Sequence, residues 1–136
     1  MRPKILIADP LAEPGPSLLR EVGEVVEKFK TGREELLEVV RDVDAIVVRS
    51  QTYITAEVIE AAPKLKVVAR AGVGVDNIDV DAATRRGVLV VNSPAGNTLA
   101  AAEHTIALLL AAARNIPQAY AEMRTGKFDR GKFTGR

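Results

Sequence analysis

Short apolar runs alternate along this chain with stretches in which apolar residues recur at helical spacing. Five of the runs predict strands, and because they are aliphatic and nearly continuous they are typical of a buried parallel sheet: Lys4–Ala8, Gly23–Lys28, Ala45–Val48, Leu65–Ala69 and Val88–Val91. The intervening stretches predict helices over Ser17–Glu21, from Thr31 or Gly32 through Arg41, over Ala56–Ala62 after an N-cap at Thr55, and over Val80–Arg86. This alternation predicts an α/β fold with a doubly wound parallel five-stranded sheet, in the flavodoxin-like order 2-1-3-4-5.

The pattern changes after the fifth strand, where the loop Asn92–Thr98 leads into a long Ala/Leu-rich helix from about Leu99. Pro117 kinks or restarts this helix, with Asn115 as a cap. We therefore expect a flavodoxin-like domain over residues 1–97 and a crossover helix with a basic tail over residues 98–136.

The segment Ile106–Ala113 is apolar on every side, so it has to be buried against something. It either folds back on the sheet or pairs with another copy. We expect a homodimer through the helix 99–113, since an exposed apolar patch of that size is a liability. Helix exchange and fold-back both stay open.

Composition narrows the class of partner. The chain has 136 residues, enough for one domain with a core, and its net charge of +1 argues against nucleic acid or a membrane surface. The segment 123–136 carries a net charge of +4, and the first 122 residues therefore carry 1 − 4 = −3.

The absence of cysteine excludes disulfides and thiolate metal sites and fits a cytoplasmic location. The run Ile5–Ala8 is too short for a signal peptide, and Ile106–Ala113 is far shorter than the ~20 residues that span a bilayer.

Candidate chemistry follows the strands, because ligands of open α/β sheets bind outside the carboxyl ends of the strands. Arg49 follows the third strand, and Arg70 with the turn Gly72–Gly74 follows the fourth. Neighbouring strands place the two arginines side by side, with the amides of Val73 and Gly74 close by. Guanidinium forks and free amides suit phosphate and carboxylate. The pattern predicts a cradle for a small molecule with two anionic groups, although a lone arginine is more often a solvated or ion-paired residue and two glycines often only make a turn.

The Gly-x-Gly turn also sits where a dinucleotide fingerprint G-x-G-x-x-G would lie. Asn77 stands in place of the third glycine, and the acidic residue expected about 20 positions on is missing. The turn is therefore a better anion nest than a cofactor clamp. His104 is the single histidine, and it lies within the long helix without a residue placed to orient it, so we assign it a structural role.

Four segments resemble the D-isomer-specific 2-hydroxyacid dehydrogenases, over nearly the whole chain and most weakly over residues 10–35. They are Val47–Ser50, Leu65–Asp79, Asn92–Thr98 and Gly126–Phe133. Arg49 together with Arg70 favours the branch of that family that acts on 3-phosphoglycerate.

The resemblance implies a flavodoxin-like substrate-binding lobe of an NAD-dependent enzyme. Arg49 and Arg70 would hold the substrate phosphate, and the amides of Val73 and Gly74 its carboxylate. Asn97 would line the cleft, Val73 would also lie near the nicotinamide in the complete enzyme, and Arg130 would reach the active site of a partner subunit.

The family's nucleotide-binding fingerprint and its catalytic arginine, carboxylate and histidine have no counterpart in this sequence. We therefore assign no catalytic or metal-binding residue, expect no NAD binding by this chain alone, and predict that it has no dehydrogenase activity alone. Two other interpretations stay open. The chain could be a lobe of another 2-hydroxyacid dehydrogenase, for example one acting on glyoxylate, or a non-catalytic and even engineered folding or dimerisation module.

Overall fold

A computed structural model describes residues 2–135 and shows an α/β fold. Over these residues the chain forms five strands and six α-helices. They are β1 (Lys4–Ile7), α1 (Gly15–Val22), β2 (Glu24–Glu27), α2 (Arg33–Val39), β3 (Ala45–Val48), α3 (Ala56–Ala61), β4 (Val67–Arg70), α4 (Val80–Arg85), β5 (Leu89–Asn92), α5 (Thr98–Ala113) and α6 (Ile116–Met123). The chain separates into two compact units, with the boundary between Gly96 and Asn97.

The first unit contains the whole sheet. Its strand order is β2-β1-β3-β4-β5 and every described pair is parallel. The predicted doubly wound, flavodoxin-like sheet is confirmed. In this register Val48 lies opposite Arg70, and Arg70 lies opposite Asn92. The last residues of β3, β4 and β5 therefore line up at one edge of the sheet, where ligands of such folds bind.

One face of the sheet carries the main core. Leu6, Ile46 and Val68 are fully buried there and belong to one apolar cluster with residues of α2, α3 and α4. Because side chains alternate along a strand, the neighbouring residues point to the opposite face. That second face is less completely covered, and it holds an apolar groove of about 310 Å³ bordered by residues of α1, β1, β3 and β4. On the edge strand β5, Leu89 is 60% exposed.

Helix and strand ends differ from the prediction by one or two residues. α2 ends at Val39 and continues as a single 3-10 turn, Val40–Asp42, rather than as α-helix to Arg41. β4 begins at Val67 and extends to Arg70, so this arginine belongs to the strand. The predicted N-cap at Thr55 is confirmed, since its side chain accepts from the amide of Val58. Gly87 ends α4 with a φ of +66°, which favours glycine.

The second unit contains α5 and α6. The side chains of α5 are exposed along nearly its whole length within this chain, including Leu99 at 72% and Leu109 at 67%. A new helix begins at Ile116, with Pro117 in its first turn, where a missing N–H costs little. Asn115 precedes it in the left-handed conformation, with a φ of 52°, and its side chain makes no capping hydrogen bond. Between residues 2 and 135, none of the helices combines the length and the apolar character needed to cross a membrane.

Candidate anion-binding site

Arg49 and Arg70 come together at the carboxyl edge of the sheet. Arg70 is the last residue of β4, and Arg49 directly follows β3, one residue beyond the position that pairs with Arg70. The Nε of Arg70 donates a hydrogen bond of 3.0 Å to the backbone carbonyl of Arg49. The predicted proximity of the two residues is present in the structure, and their role in binding stays a prediction.

Arg70 is held by its own chain. Its Nη1 donates to Oδ1 of Asp76 at 2.6 Å, and its side chain is only 12% exposed, whereas that of Asp76 is 82% exposed. The backbone amide of Asp76 itself and the Arg70 guanidinium both hold the pKa of the Asp76 carboxyl below its ordinary value. Asp76 was not among the residues that the sequence pattern singled out, because nothing in the spacing shows that a side chain six residues on turns back to the strand end.

Arg49 is exposed, and the surroundings of its guanidinium differ from those of Arg70. Among the described residues its side chain takes part in no ion pair or hydrogen bond. Its five N–H donors are therefore available to a ligand, and such a fork matches the oxygens of phosphate or carboxylate.

The turn Gly72–Gly74 presents free backbone amides next to these arginines. Val73 and Gly74 are exposed, and in the part of the chain that the structure covers neither amide donates to a protein acceptor. Nδ2 of Asn92, at the end of β5, donates to the carbonyl of Val73 at 2.5 Å and so ties the turn to the neighbouring strand. Unpaired amides beside arginine side chains suit an anion, but neither Gly72 nor Gly74 has the positive φ of an αR–αL nest.

A buried carboxylate fixes the loop that carries Arg49. Asp9, directly after β1, is 1% exposed, and its Oδ2 accepts from the amides of Arg49 (2.7 Å), Gln51 (3.2 Å) and Thr52 (3.2 Å). The Thr52 hydroxyl donates to its Oδ1 at 2.6 Å. Burial raises the pKa of Asp9, but the hydrogen bonds from the Thr52 hydroxyl and the three amides outweigh it, and the pKa lies below its ordinary value.

A buried amide holds the same loop from the other side. Asn77 is 4% exposed, and its Nδ2 donates to the carbonyls of Arg49 (2.9 Å) and Thr52 (2.6 Å). We call Asp9 and Asn77 together the loop clamp, because one accepts from the amides of the loop 49–52 and the other donates to its carbonyls. Sequence reasoning treated Asn77 only as the residue in place of the third glycine, and it did not single out Asp9. The position of Asp9 at the carboxyl end of a buried strand was the signal that could have identified it.

Gly74 makes room for side chains of its own chain. A Cβ at Gly74 would lie 2.8 Å from Oδ1 of Asp76 and 3.0 Å from Nη1 of Arg70. The helix that follows starts only at Val80, with its first turn capped by Asp79. Between residues 2 and 135, no three acidic or histidine side chains cluster as metal ligands.

The remaining predicted residues lie in the second unit. Asn97 precedes α5, and its side chain does not cap that helix. The guanidinium of Arg130 lies 5.6 Å from the ring centre of Phe128. His104 is exposed on α5, next to Glu103. The roles assigned to these residues stay predictions.

Comparison with known protein families identifies the chain's relatives. The family described as "D-isomer specific 2-hydroxyacid dehydrogenase, catalytic domain" matches residues 5–129. The D-3-phosphoglycerate dehydrogenase of Methanocaldococcus jannaschii is 55% identical over 132 residues, which are 97% of this chain and 25% of that protein. The chain therefore spans about a quarter of the length of the curated relatives it matches.

Solved structures agree with the fold. The TT0316 protein of Thermus thermophilus superposes with a TM-score of 0.87 at 33% identity, covering 97% of this chain and 44% of that one. The NAD+-bound 3-phosphoglycerate dehydrogenase of Entamoeba histolytica superposes with a TM-score of 0.74 at 34% identity, covering 84% of this chain and 40% of that one.

Proposed function

The chain belongs to the D-isomer specific 2-hydroxyacid dehydrogenase family, and from this premise we propose that it is a substrate-binding part of such an enzyme whose substrate is 3-phosphoglycerate. Curated D-3-phosphoglycerate dehydrogenases match at 46–57% identity over nearly the whole chain, which supports this branch of the family.

The observation that carries the proposal is the position of Arg49, whose side chain has no partner among the described residues, beside Arg70 and the strand end that leads into the Gly72–Gly74 turn. In the proposed complex the substrate phosphate takes the guanidinium of Arg49 and the remaining donors of Arg70. The substrate carboxylate takes the amides of Val73 and Gly74. Charge-assisted hydrogen bonds of this kind are roughly twice as strong as neutral ones and recognise the shape of the anion as well as its charge.

The proposal also includes a nicotinamide cofactor. A relative of known structure is bound to NAD+, and a nicotinamide cofactor supplies hydride transfer in such enzymes. We propose that NAD acts in the longer enzyme, with Val73 beside the nicotinamide, and that this chain alone neither binds NAD nor oxidises 3-phosphoglycerate. Formation of NADH from NAD+ and 3-phosphoglycerate by the purified 136-residue chain would overturn the last part.

Substrate binding is tested by titrating the chain with 3-phosphoglycerate and with D-glycerate, which lacks the phosphate, while recording amide and arginine side-chain NMR signals. We expect 3-phosphoglycerate to bind at least about tenfold more tightly, because a desolvated phosphate–arginine contact contributes on the order of 1.5–3 kcal/mol. Arg49→Gln should remove that preference.

Arg85→Gln is the matched control, since Arg85 is an exposed arginine on α4 that forms no ion pair among the described residues. Equal affinity for the two ligands, or an Arg49→Gln variant that still prefers the phosphorylated one, would contradict the assignment to 3-phosphoglycerate.

A further inference from the structure

The two arginines of the site differ in how many of their N–H donors are available to a ligand. Arg70 uses the Nε donor for the carbonyl of Arg49 (3.0 Å) and one Nη1 donor for Asp76 (2.6 Å), so two of its five N–H donors are occupied. Within the described part of the chain the Arg49 guanidinium has no partner. An incoming anion therefore finds all five donors on Arg49 and three on Arg70, which are the two of Nη2 and the second of Nη1.

Gly74 is shaped to the Arg70–Asp76 pair. A Cβ at this position would lie 2.8 Å from Oδ1 of Asp76, closer than real Cβ atoms come to a neighbour, and 3.0 Å from Nη1 of Arg70, which is a tight contact. At Gly72 the nearest atom to an added Cβ is Nε of Arg70 at 3.6 Å, an ordinary contact. The second glycine of the turn thus leaves room for the ion pair.

Three charged side chains lie at this edge of the sheet. Arg49 and Arg70 each contribute +1, and Asp76 contributes −1 from a carboxylate that is 82% exposed. The carboxylate offsets the repulsion between two guanidiniums that no ligand bridges. It also repels any anion that approaches Nη2 of Arg70.

We propose that Asp76 is a positioning residue of this site, which fixes Arg70 through Nη1 and leaves Arg49 as the side chain that receives the anion with its whole fork. Asp76 also acts as a built-in counter-ion that weakens the binding of dianions more than that of monoanions. The inference rests on the proposed function only in taking the bound group to be a phosphate.

The test uses inorganic phosphate at pH 8, where the dianion prevails, and acetate as a monoanion, each titrated into the 136-residue chain. Asp76→Asn keeps an oxygen that can accept from Nη1 and removes the charge. At low ionic strength, removing a unit charge about 5 Å away in water corresponds to roughly a fourfold change in affinity per ligand charge, so we expect acetate to bind roughly fourfold and phosphate roughly fifteenfold more tightly to Asp76→Asn. Asp76→Glu, which restores the charge, should return both affinities towards those of the unmodified chain.

The positioning role has its own readout, the Nε–H signal of Arg70. Asp76→Asn should keep this signal slow in exchange with solvent, whereas Asp76→Ala should accelerate its exchange, because Nη1 then loses its acceptor. Asp81→Asn is the control for a lost charge, since Asp81 is exposed and makes no ion pair among the described residues. It should change neither affinity nor exchange.

The inference fails if Asp76→Asn leaves phosphate affinity unchanged or lowers it, if phosphate binds to neither protein, or if Asp76→Ala does not alter exchange at Arg70. A carboxylate with a purely structural role would not tighten phosphate binding when neutralised. These arms use inorganic phosphate, so they are independent of the comparison between 3-phosphoglycerate and D-glycerate on which the proposed substrate depends.

Discussion

At the scale of single residues, Asp9 is the group whose chemistry is most constrained by its surroundings. Its carboxylate accepts four hydrogen bonds from the loop 49–52 while almost fully buried. Its burial disfavours the charge, and the donors more than compensate. The ionised form is therefore part of the folded structure of the loop that carries Arg49.

We expect Asp9→Asn to lower the free energy of unfolding by about 2–3 kcal/mol at pH 7, because an amide accepts fewer of these bonds and turns an N–H towards backbone donors. Urea denaturation followed by circular dichroism measures the change. Asp81→Asn, at an exposed position with no partner among the described side chains, should alter stability by less than about 0.5 kcal/mol. Equal losses in the two variants would show that Asp9 is not a stabilising residue.

The lowered pKa of Asp9 also makes the free energy of unfolding depend on pH. Its folded-state pKa lies below the ordinary value of 3.8, so the folded protein binds fewer protons than the unfolded one just below that pH. The contribution of Asp9 is fully present above that pH and is lost as the pH falls through the folded-state pKa. We expect the stability difference between the unmodified chain and Asp9→Asn to be constant from pH 7 to about 5 and to shrink below 3.8. A difference that grows towards low pH would contradict the assigned direction.

Gly74 and Gly72 make a matched pair for testing the turn. Gly74→Ala forces a Cβ against the Arg70–Asp76 pair, whereas Gly72→Ala meets only ordinary contacts. We expect Gly74→Ala to displace the ends of the Arg70 and Asp76 side chains, visible as a shifted and faster-exchanging Nε–H signal of Arg70, and to lower the free energy of unfolding by less than about 1 kcal/mol, because side-chain ends can move. Gly72→Ala should leave the Arg70 signal in place. Indistinguishable spectra for the two variants would mean that Gly74 does not accommodate the pair.

At the scale of elements, the strands and helices were predictable and their functional contacts were not. Short aliphatic runs bounded by turn residues identified all five described strands, and Thr55 identified the start of α3. The helix ending at Val39 was overestimated, because the pattern does not distinguish a last α-turn from a 3-10 turn.

Part of the candidate site could be predicted from the sequence, namely the proximity of Arg49 and Arg70. The strand order brings Arg49 and Arg70 to one edge of the sheet. The hydrophobic pattern that predicts the strands, together with the predicted strand order, is enough to infer this. The contacts of Asp9 and Asn77 with the loop span 25 to 43 residues of sequence and depend on side-chain direction inside that loop. The position of Asp9 at a strand end is visible in the sequence, but no local pattern encodes these contacts, so the roles of Asp9 and Asn77 became visible only in the structure.

Helix α4 offers a test of capping. Oδ1 of Asp79 accepts from the amide of Ala82 at 2.8 Å, which satisfies one of the donors left free at the start of a helix. We expect Asp79→Ala to lower the free energy of unfolding by about 1 kcal/mol, measured by thermal and urea denaturation. Asp81→Ala, within the first turn but without a capping bond, should cost less than half as much. A smaller loss for Asp79→Ala than for Asp81→Ala would contradict the capping role.

At the scale of the whole molecule, the exposed helix α5 bears on assembly. Its apolar side chains, including Leu99, Leu108 and Leu109, are each more than half exposed within one chain. Burying such side chains stabilises association by about 25 cal/mol per Å² of apolar surface. We propose that two copies associate through the helix 99–113.

We therefore expect sedimentation and light scattering to show concentration-dependent dimers, and Leu109→Glu to shift the population to monomers. Leu18→Glu is the matched control, because Leu18 on α1 is similarly exposed at 56% but lies in the first unit. Monomers of the unmodified chain at high concentration, or equal effects of the two substitutions, would overturn association through α5.

The loop clamp has a kinetic consequence. Its two side chains come from opposite sides of the loop in sequence, with Asp9 about 40 residues before it and Asn77 about 25 after it. Asp9 follows β1 and Asn77 follows β4, so the loop can adopt its final conformation only after these two strands have paired with β3. Refolding followed at the Arg49 and Thr52 amides should lag behind the strand amides of the sheet. The candidate anion site would then be the last part of the first unit to adopt its final structure. A chain that ends before Asn77 would contain Arg49, but the loop that carries it would lack the hydrogen bonds that Asn77 donates.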